Sequence, residues 1–386
     1  MTLTRFADVV TLSSSRLADP AAAGIERFVG LEHIEPENLH IRSWGNVADG
    51  TTFTSHFKPG QVLFGKRRAY QRKVAIAEFE GVCSGDIYVF ESKEPDVLLP
   101  ELLPFICQSE GFYQHAIKTS AGSLSPRTNW SHLAEYEFPL PPLDEQRRIA
   151  DLLWAADDVI VNYEELLTSV LQTYQAMVDE FYFGRNTQLI TPVKVGSISE
   201  INRSILSSKI KNEYVIQYID IATILGPGEI GTPTIYSCSS APSRARRIVK
   251  HKDILISMVR PYQRAFAQIN NPPDNLIAST GIAVVTPSNQ IDPDYLYHVF
   301  FTIAFKEHCD KRMTGTSYPA IKPEDVSDFK IPLQSHEQQK EIAKKLNQTT
   351  ESKNGIIVHL RKSRHLKQEL LRELIGEQYV QRTEHR

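Results

Sequence analysis

From Asp144 to Phe181 the chain contains no proline and no glycine, and its apolar residues follow a heptad. With Ile149 at position a, the a positions are Ile149, Ala156, Tyr163, Val170 and Met177. The d positions are Leu153, Ile160, Leu167, Tyr174 and Phe181. That pattern predicts one continuous helix with a coiled-coil seam, on the order of 55 Å long at about 1.5 Å per residue. A single globular core has no need of such a rod. A chain that must hold two things apart does.

The 386 residues suffice for two or three domains with their own cores. A hydrophobic fraction of 41% and a charged fraction of 23% are ordinary for a soluble globular protein. No run of about twenty apolar residues is present, so no membrane span is expected, and the start does not look like a signal peptide. Cys83, Cys107, Cys238 and Cys309 are widely scattered, which reads as reduced, mostly buried thiols in a cytoplasmic protein. The net charge of −3 argues mildly against a nucleic-acid partner, but the basic residues are clustered, and clustering matters more than the total.

The chain repeats itself at an offset of about 193 residues. Arg68-Ala-Tyr70-Gln71-Arg72 recurs as Arg260-Pro-Tyr262-Gln263-Arg264, and an ungapped window from Pro100 to Leu153 aligns with its copy. Pro139/Pro332, Gln146/Gln339, Ile149/Ile342 and Leu153/Leu346 are identical pairs in it. Each half reads as a globular part followed by a long helix. Short apolar runs (Val62–Phe64, Val74–Ala77, Ile87–Phe90, Ile254–Ile256, Ile282–Val285) predict strands. One helix is expected near Leu99–Lys118 and its copy near Asp292–Lys311, each followed by a Gly/Ser/Thr loop. Pro139, Pro141 and Pro142 forbid helix, and Asp144-Glu145 then open one where the macrodipole favours acids.

The second long helix is less regular: Lys353 and Lys367 fall at d positions, and Asn354-Gly355 is expected to kink it. Packing on the second domain alone is the other reading of this helix. If the two helices pair, connectivity makes them antiparallel. The expected seam comprises Ile149, Leu153, Ile160 and Leu167 with Leu346, Ile356, Leu360 and Leu370. The fold class is α+β: two similar recognition domains separated by long helices that form an antiparallel coiled coil, with a pseudo-twofold internal repeat. The expected domains are 1–143 and 184–335, the spacer helices 144–183 and 336–380, and a tail 381–386. Two like modules at a fixed separation suit an extended, two-part ligand, for which duplex DNA read as two half-sites is the obvious candidate.

Gly65–Lys73 holds five cationic side chains and no acid, and Arg244, Arg246 and Arg247 lie in another acid-free run. Arg and Lys neutralise phosphates, Arg pairs bidentately with guanine, and Gln does so with adenine. The candidate DNA contacts in the first half are Lys66, Arg67, Arg68, Tyr70, Gln71, Arg72, Ser125, Arg127 and Asn129. Those in the second half are Arg244, Arg246, Arg247, Arg260, Tyr262, Gln263, Arg264, Thr316, Tyr318 and Lys322. A solvated basic hairpin and plain surface loops are the alternatives. Asn271-Pro272-Pro273-Asp274 resembles the signature of DNA amino-methyltransferases, but Asp274 replaces the aromatic that stacks on a flipped base, so the segment reads as a turn. Gly226–Gly231 lacks the Lys-Ser/Thr of a phosphate-binding loop. No catalytic constellation or spaced set of metal ligands is evident.

The junction Phe138-Pro-Leu-Pro-Pro-Leu-Asp-Glu-Gln-Arg-Arg-Ile-Ala150 resembles the entry to each long helix in the specificity subunits of type I restriction–modification enzymes. The copy at Ile331–Ala343 keeps Pro332, Gln339 and Ile342 and loses the double proline. Leu370–Gly376 is similar to the family's terminal segment, and Tyr182–Arg185 is a looser copy. The resemblance implies one target recognition domain per half-site, helices that set the spacer, and docking of two methyltransferase subunits, which restriction subunits can join. It also implies that the chain is non-catalytic and holds no cofactor, with S-adenosylmethionine, ATP and Mg in the partner subunits. The runner-up is a coiled-coil scaffold whose two domains bind proteins. On either reading, the outer helix faces, including Trp154 and Tyr163, are expected to need a partner's cover.

Overall fold

The computed structural model describes residues 2–207 and 213–375. Positions 376–386, which include the expected end of the second spacer helix and the tail, lie outside the described residues. The chain divides into two compact units, Met1–Glu164 with His359–Arg386, and Glu165–Val358. The division cuts through both long helices, so each unit consists of one globular domain and half of each helix.

In the first unit one sheet has the order Val10–Leu12, Ile87–Ser92, Val62–Gly65, Val74–Ile76, all neighbours antiparallel. A second has the order Gly45–Asn46, Arg27–Val29, Gly81–Cys83, Ser55–Phe57, with its two central strands parallel. The second unit repeats both. Ser199–Ile201, Ile282–Pro287, Ile254–Ser257, Phe266–Gln268 form the antiparallel sheet. Thr234–Ser237, Val215–Ile219, Leu276–Ser279, Ala245–Ile248 form the mixed one, again with parallel central strands. Equal strand order and equal polarity make the repeat three-dimensional.

The helix expected over Leu99–Lys118 is two helices, Leu103–Gln108 and Glu110–Lys118, and its copy is Pro293–Val299 and Ile303–Asp310. The breaks fall at equivalent residues. Ser109 and Thr302 cap the following helix, their hydroxyls accepting from the backbone N–H of Phe112 and of Phe305. A side-chain cap competes with the helix ladder, which is why Ser and Thr start helices more readily than they continue them. Behind these caps sit aromatic cores. Phe112 packs on Phe6 and Phe64, with ring centroids 4.8 and 5.3 Å apart. Phe305 packs on Phe300 and Phe329, at 5.0 Å each.

The long helices are Leu143–Phe183, 41 residues, and His336–Ile375, 40 residues. The kink expected at Asn354-Gly355 is absent: the helix passes through without a break. One mid-helix glycine costs only about 1 kcal/mol relative to alanine, and buried Ile356 and Leu360 hold the turn that follows. Pairing is antiparallel. In the first unit Ile149 and Leu153, near the start of one helix, share a core with Leu370 and Leu374, near the end of the other. In the second unit Val178 and Tyr182 share a core with Ala343 and Leu346. Of the expected seam, Ile149, Leu153, Ile160, Leu346, Ile356 and Leu360 are buried, and Leu167 and Leu370 are half-buried.

Candidate nucleic-acid interface

Each RxYQR segment is the tip of a hairpin. In the first half it links Val62–Gly65 to Val74–Ile76, and in the second Ile254–Ser257 to Phe266–Gln268. The tip is a single 3₁₀ turn, Ala69–Gln71 or Pro261–Gln263, with a left-handed arginine on either side. Arg68 has φ 54° and ψ 54°, and Arg72 φ 54° and ψ 46°. Arg260 has φ 50° and ψ 54°, and Arg264 φ 51° and ψ 35°. Left-handed backbone costs a non-glycine residue roughly 1–2 kcal/mol, so four such arginines at matched positions mark a shape kept for a reason. The Gly/Ser/Thr loop closes against this tip. Arg68 N–H donates to Pro126 O at 2.7 Å, and Arg260 N–H to Pro319 O at 2.8 Å. Gly122 and Gly315, with φ of 111° and 95°, turn the two loops where a Cβ would be strained.

The acid-free appearance of the first basic segment does not survive folding. Asp86, which follows the strand Gly81–Cys83, accepts from Arg127 Nε at 2.8 Å and from Arg67 Nη1 at 3.3 Å. Burial pushes the Asp86 carboxyl up, and Arg127 and Arg67 together outweigh that and hold it below the ordinary carboxylate range. Arg67 and Arg68 also donate to Ser125 Oγ, at 3.0 and 3.1 Å. The Lys66 ammonium lies 4.6 Å from the centroid of the Tyr88 ring. Arg67, Arg68, Ser125 and Arg127 therefore form one cluster around the half-buried Asp86, and Lys66 lies over Tyr88. In the second half Arg260 sits 5.1 Å over the Tyr318 ring, and Tyr318 itself is exposed.

The closing arginines point elsewhere. Arg72 donates to Glu110 at 2.6 Å, lies 3.7 Å from Glu37 and covers the Tyr113 ring. Arg264 donates to Gln175 on the first long helix at 2.8 Å. Both are tied to their own unit, as is Arg247, whose guanidinium donates to the carbonyl of Ile282. Arg244 and Arg246 are exposed, on or beside the strand Ala245–Ile248 of the other sheet. Asn129 and Lys322 are exposed and precede short helices at equivalent places. Tyr70, Tyr262, Gln263 and Thr316 are exposed, and Gln71 is half-buried.

Gln146 and Gln339, the glutamines of the two helix-entry motifs, are both 1% exposed. Gln146 accepts from Leu99 N–H at 2.9 Å and donates to the carbonyls of Val97 and Pro141 at 2.8 and 2.9 Å. Gln339 accepts from Asp292 N–H at 2.7 Å and donates to Gln334 O at 2.9 Å. Leu99 and Asp292 are equivalent, as are Pro141 and Gln334, so one amide fixes the helix start to its domain in each half. The second lysine of the irregular seam has its own partner. Lys367 Nζ lies 2.5 Å from Asp157 Oδ1, and His40 bridges Asp157, at 2.8 Å, to Glu78, at 2.5 Å.

Trp154 and Tyr163 are half-buried, each against a residue of its own unit. Trp154 packs on Phe105 at 4.9 Å and donates to Glu101 O, and Tyr163 stacks on His359 at 5.6 Å. In the first unit, Leu152 and Val159 of this helix are exposed apolar residues at heptad spacing. Among the described residues no cluster of His, Cys, Asp and Glu could hold a metal ion, and no helix is long and apolar enough to cross a membrane.

A twice-occurring two-sheet domain, each copy tied through one glutamine to the start of the long helix that follows it, defines a class of paired recognition modules. The model of the type I restriction modification DNA specificity domain matches residues 45–172 and 189–362. The chain belongs to that family. It is 31% identical over 169 residues to the type I restriction enzyme EcoDI specificity subunit of Escherichia coli, covering 40% of this chain and 36% of that one. Over 357 residues it is 23% identical to the MjaVIII specificity subunit of Methanocaldococcus jannaschii, covering 87% and 77%. Thus the match spans about a third of the first relative's length and about three quarters of the second's. The fold is that of the type I restriction-modification system S subunit from M. genitalium, with a TM-score of 0.59 at 15% identity, covering 97% of this chain and 96% of that one. A chain from a structure of type I R-M complex assembly and conformational transition gives 0.56 at 18% identity, covering 97% and 98%.

Proposed function

We propose that this chain is the non-catalytic specificity subunit of a type I restriction–modification complex. Each domain reads one half of a split duplex DNA target, and the helices set the spacer. Two methyltransferase subunits dock on the helices and supply S-adenosylmethionine chemistry. Restriction subunits, where they join, supply the ATP- and Mg-dependent steps. The observation that carries this reading is the repetition of strand order in the two domains, each joined to the start of its long helix by an equivalent buried glutamine, within a family of DNA specificity domains. Leu152 and Val159, exposed apolar residues on the solvent face of the first unit's helix, support helix docking, since such a face suits a partner's cover.

The experiment is to co-express the chain with its methyltransferase subunit and to map methylated adenines across the host genome. A single split motif gives both half-sites and the spacer at once. An intact complex with no new motif refutes DNA reading and favours a protein-binding scaffold. The purified chain with methyl donor and DNA, but no partner, transfers no methyl groups.

A further inference from the structure

The repeat provides an internal control on what the candidate interface recognises. A side chain that is the same in both halves, carried on the same backbone geometry, is suited to what the two ends of the ligand share. Side chains that differ are free to distinguish them. The RxYQR tip belongs to the first kind. Its 3₁₀ turn, its two left-handed arginines and the bond from its first arginine to the proline of the Gly/Ser/Thr loop all recur. Tyr70 and Tyr262 project from the two turns at 53% and 46% exposure. The mixed sheet belongs to the second kind. Its edge strand Ser55-His-Phe57 has no residue in common with its counterpart Ala245-Arg-Arg-Ile248, and its other edge is Gly45–Asn46 in one half and Thr234–Ser237 in the other.

Duplex DNA with two half-sites of different sequence has its sugar–phosphate backbone in common and its base edges not. We propose, resting on the DNA-reading function above, that the RxYQR tips contact that backbone and read no bases, with Arg68 and Arg260 as the phosphate-binding cations and Tyr70 and Tyr262 beside them. The neighbouring chemistry fits. Arg68 is positioned by Ser125 and Arg260 by the carbonyl of Ser317 and the Tyr318 ring. The outer arginines, Arg72 and Arg264, are engaged within their units and hold the turn in place. A preset turn that presents a cation from a fixed backbone is suited to fixing the register of a duplex, which phosphate contacts do without carrying sequence information.

The test uses the full chain assembled with its methyltransferase subunits, carrying Arg68→Ala, Arg260→Ala or both, with Arg68→Lys and Arg260→Lys as charge-keeping controls. DNA affinity is measured against salt on target and non-target duplexes, and the methylated motif is mapped. Each Ala variant is expected to make the log–log salt slope shallower by about 1. It should weaken target and non-target binding by the same factor and leave the motif unchanged at both half-sites, and the Lys variants should keep the slope. A relaxed or altered base at one half-site overturns the proposal in favour of base reading. Loss of the methyltransferase subunit with DNA binding unchanged overturns it in favour of a protein contact, because two copies of one partner are also the same at both ends. If the wild-type complex shows neither salt-dependent DNA binding nor a motif, the function itself fails, an outcome distinct from both.

Discussion

Asp157 is the carboxylate on which the first unit's helix pair turns. It is 4% exposed and carries Lys367 Nζ on one oxygen at 2.5 Å and His40 Nε2 on the other at 2.8 Å. Replacing it with leucine removes both acceptors and leaves the Lys367 ammonium, on a residue 5% exposed, without its counter-ion. Breaking a buried pair by deleting one partner costs about 3–5 kcal/mol, whereas replacing both partners with apolar groups of similar volume is often near neutral. Asp157→Leu is therefore expected to destabilise the first unit by about 3–5 kcal/mol, and Asp157→Leu with Lys367→Met by about 1 kcal/mol or less. Trp44, Trp130 and Trp154, the chain's three tryptophans, all lie in this unit, so urea unfolding followed by tryptophan fluorescence reports it alone. Additive single-variant costs, or an Asp157→Leu cost under about 1 kcal/mol, would refute the reasoning, since either shows that the pair is not desolvated as its burial implies.

The same triad sets a pH dependence. The hydrogen bond to Asp157, with a second to Glu78, raises the His40 pKa above the imidazole's ordinary 6.5. A raised folded pKa means that folding binds protons, so this contribution is full below about 6.5 and is lost as pH rises through the raised value. Burial pushes the Asp157 carboxyl up, but His40 and Lys367 outweigh it and hold the group below its ordinary 3.8. Its contribution is present above that value and is lost as pH falls through the lowered one. His40→Gln should remove the loss on the alkaline side, as read by the same urea series stepped upward from pH 6. Gln146→Leu leaves the N–H of Leu99 without its acceptor and should cost about 1–3 kcal/mol, with hydrogen exchange of the Leu99 amide rising in step and Gln339→Leu doing the same at Asp292. Leu152→Asp with Val159→Asp, both on a solvent face, should change stability by no more than about 0.5 kcal/mol per site, yet abolish co-purification of the methyltransferase subunit; retained co-purification would move docking off this stripe. Four residues inserted beside Glu164, matched by four beside His359 in the paired helix, add about 6 Å and should lengthen the preferred spacer by about one to two base pairs without changing either half-site. An unchanged spacer would end the ruler reading.

The sequence alone determined the features whose signal is local or periodic. The heptad from Ile149 to Phe181 specified a helix because period 3.5 is written into consecutive residues. The repeat at about 193 residues specified two domains of one fold, and the prolines before Asp144 specified where the helix starts. Even the Gln146/Gln339 pair was visible as an identity, although its reason was not: an amide that ties a helix start to backbone groups of its domain has no signature beyond its own letter. Tertiary structure decided what depends on residues distant in the chain. Arg67 and Arg127 share Asp86, which lies 19 and 41 positions away, so a segment without acids folded into one with a counter-ion. Lys367, a flaw in the heptad when read along the chain, meets Asp157 across 210 positions and becomes a buried partner. Trp154 is half-buried because Phe105 and Glu101 offer it a packing face and an acceptor. Charge and burial are properties of neighbourhoods, and the fold, which sequence periodicity largely foretold, brings those neighbours together.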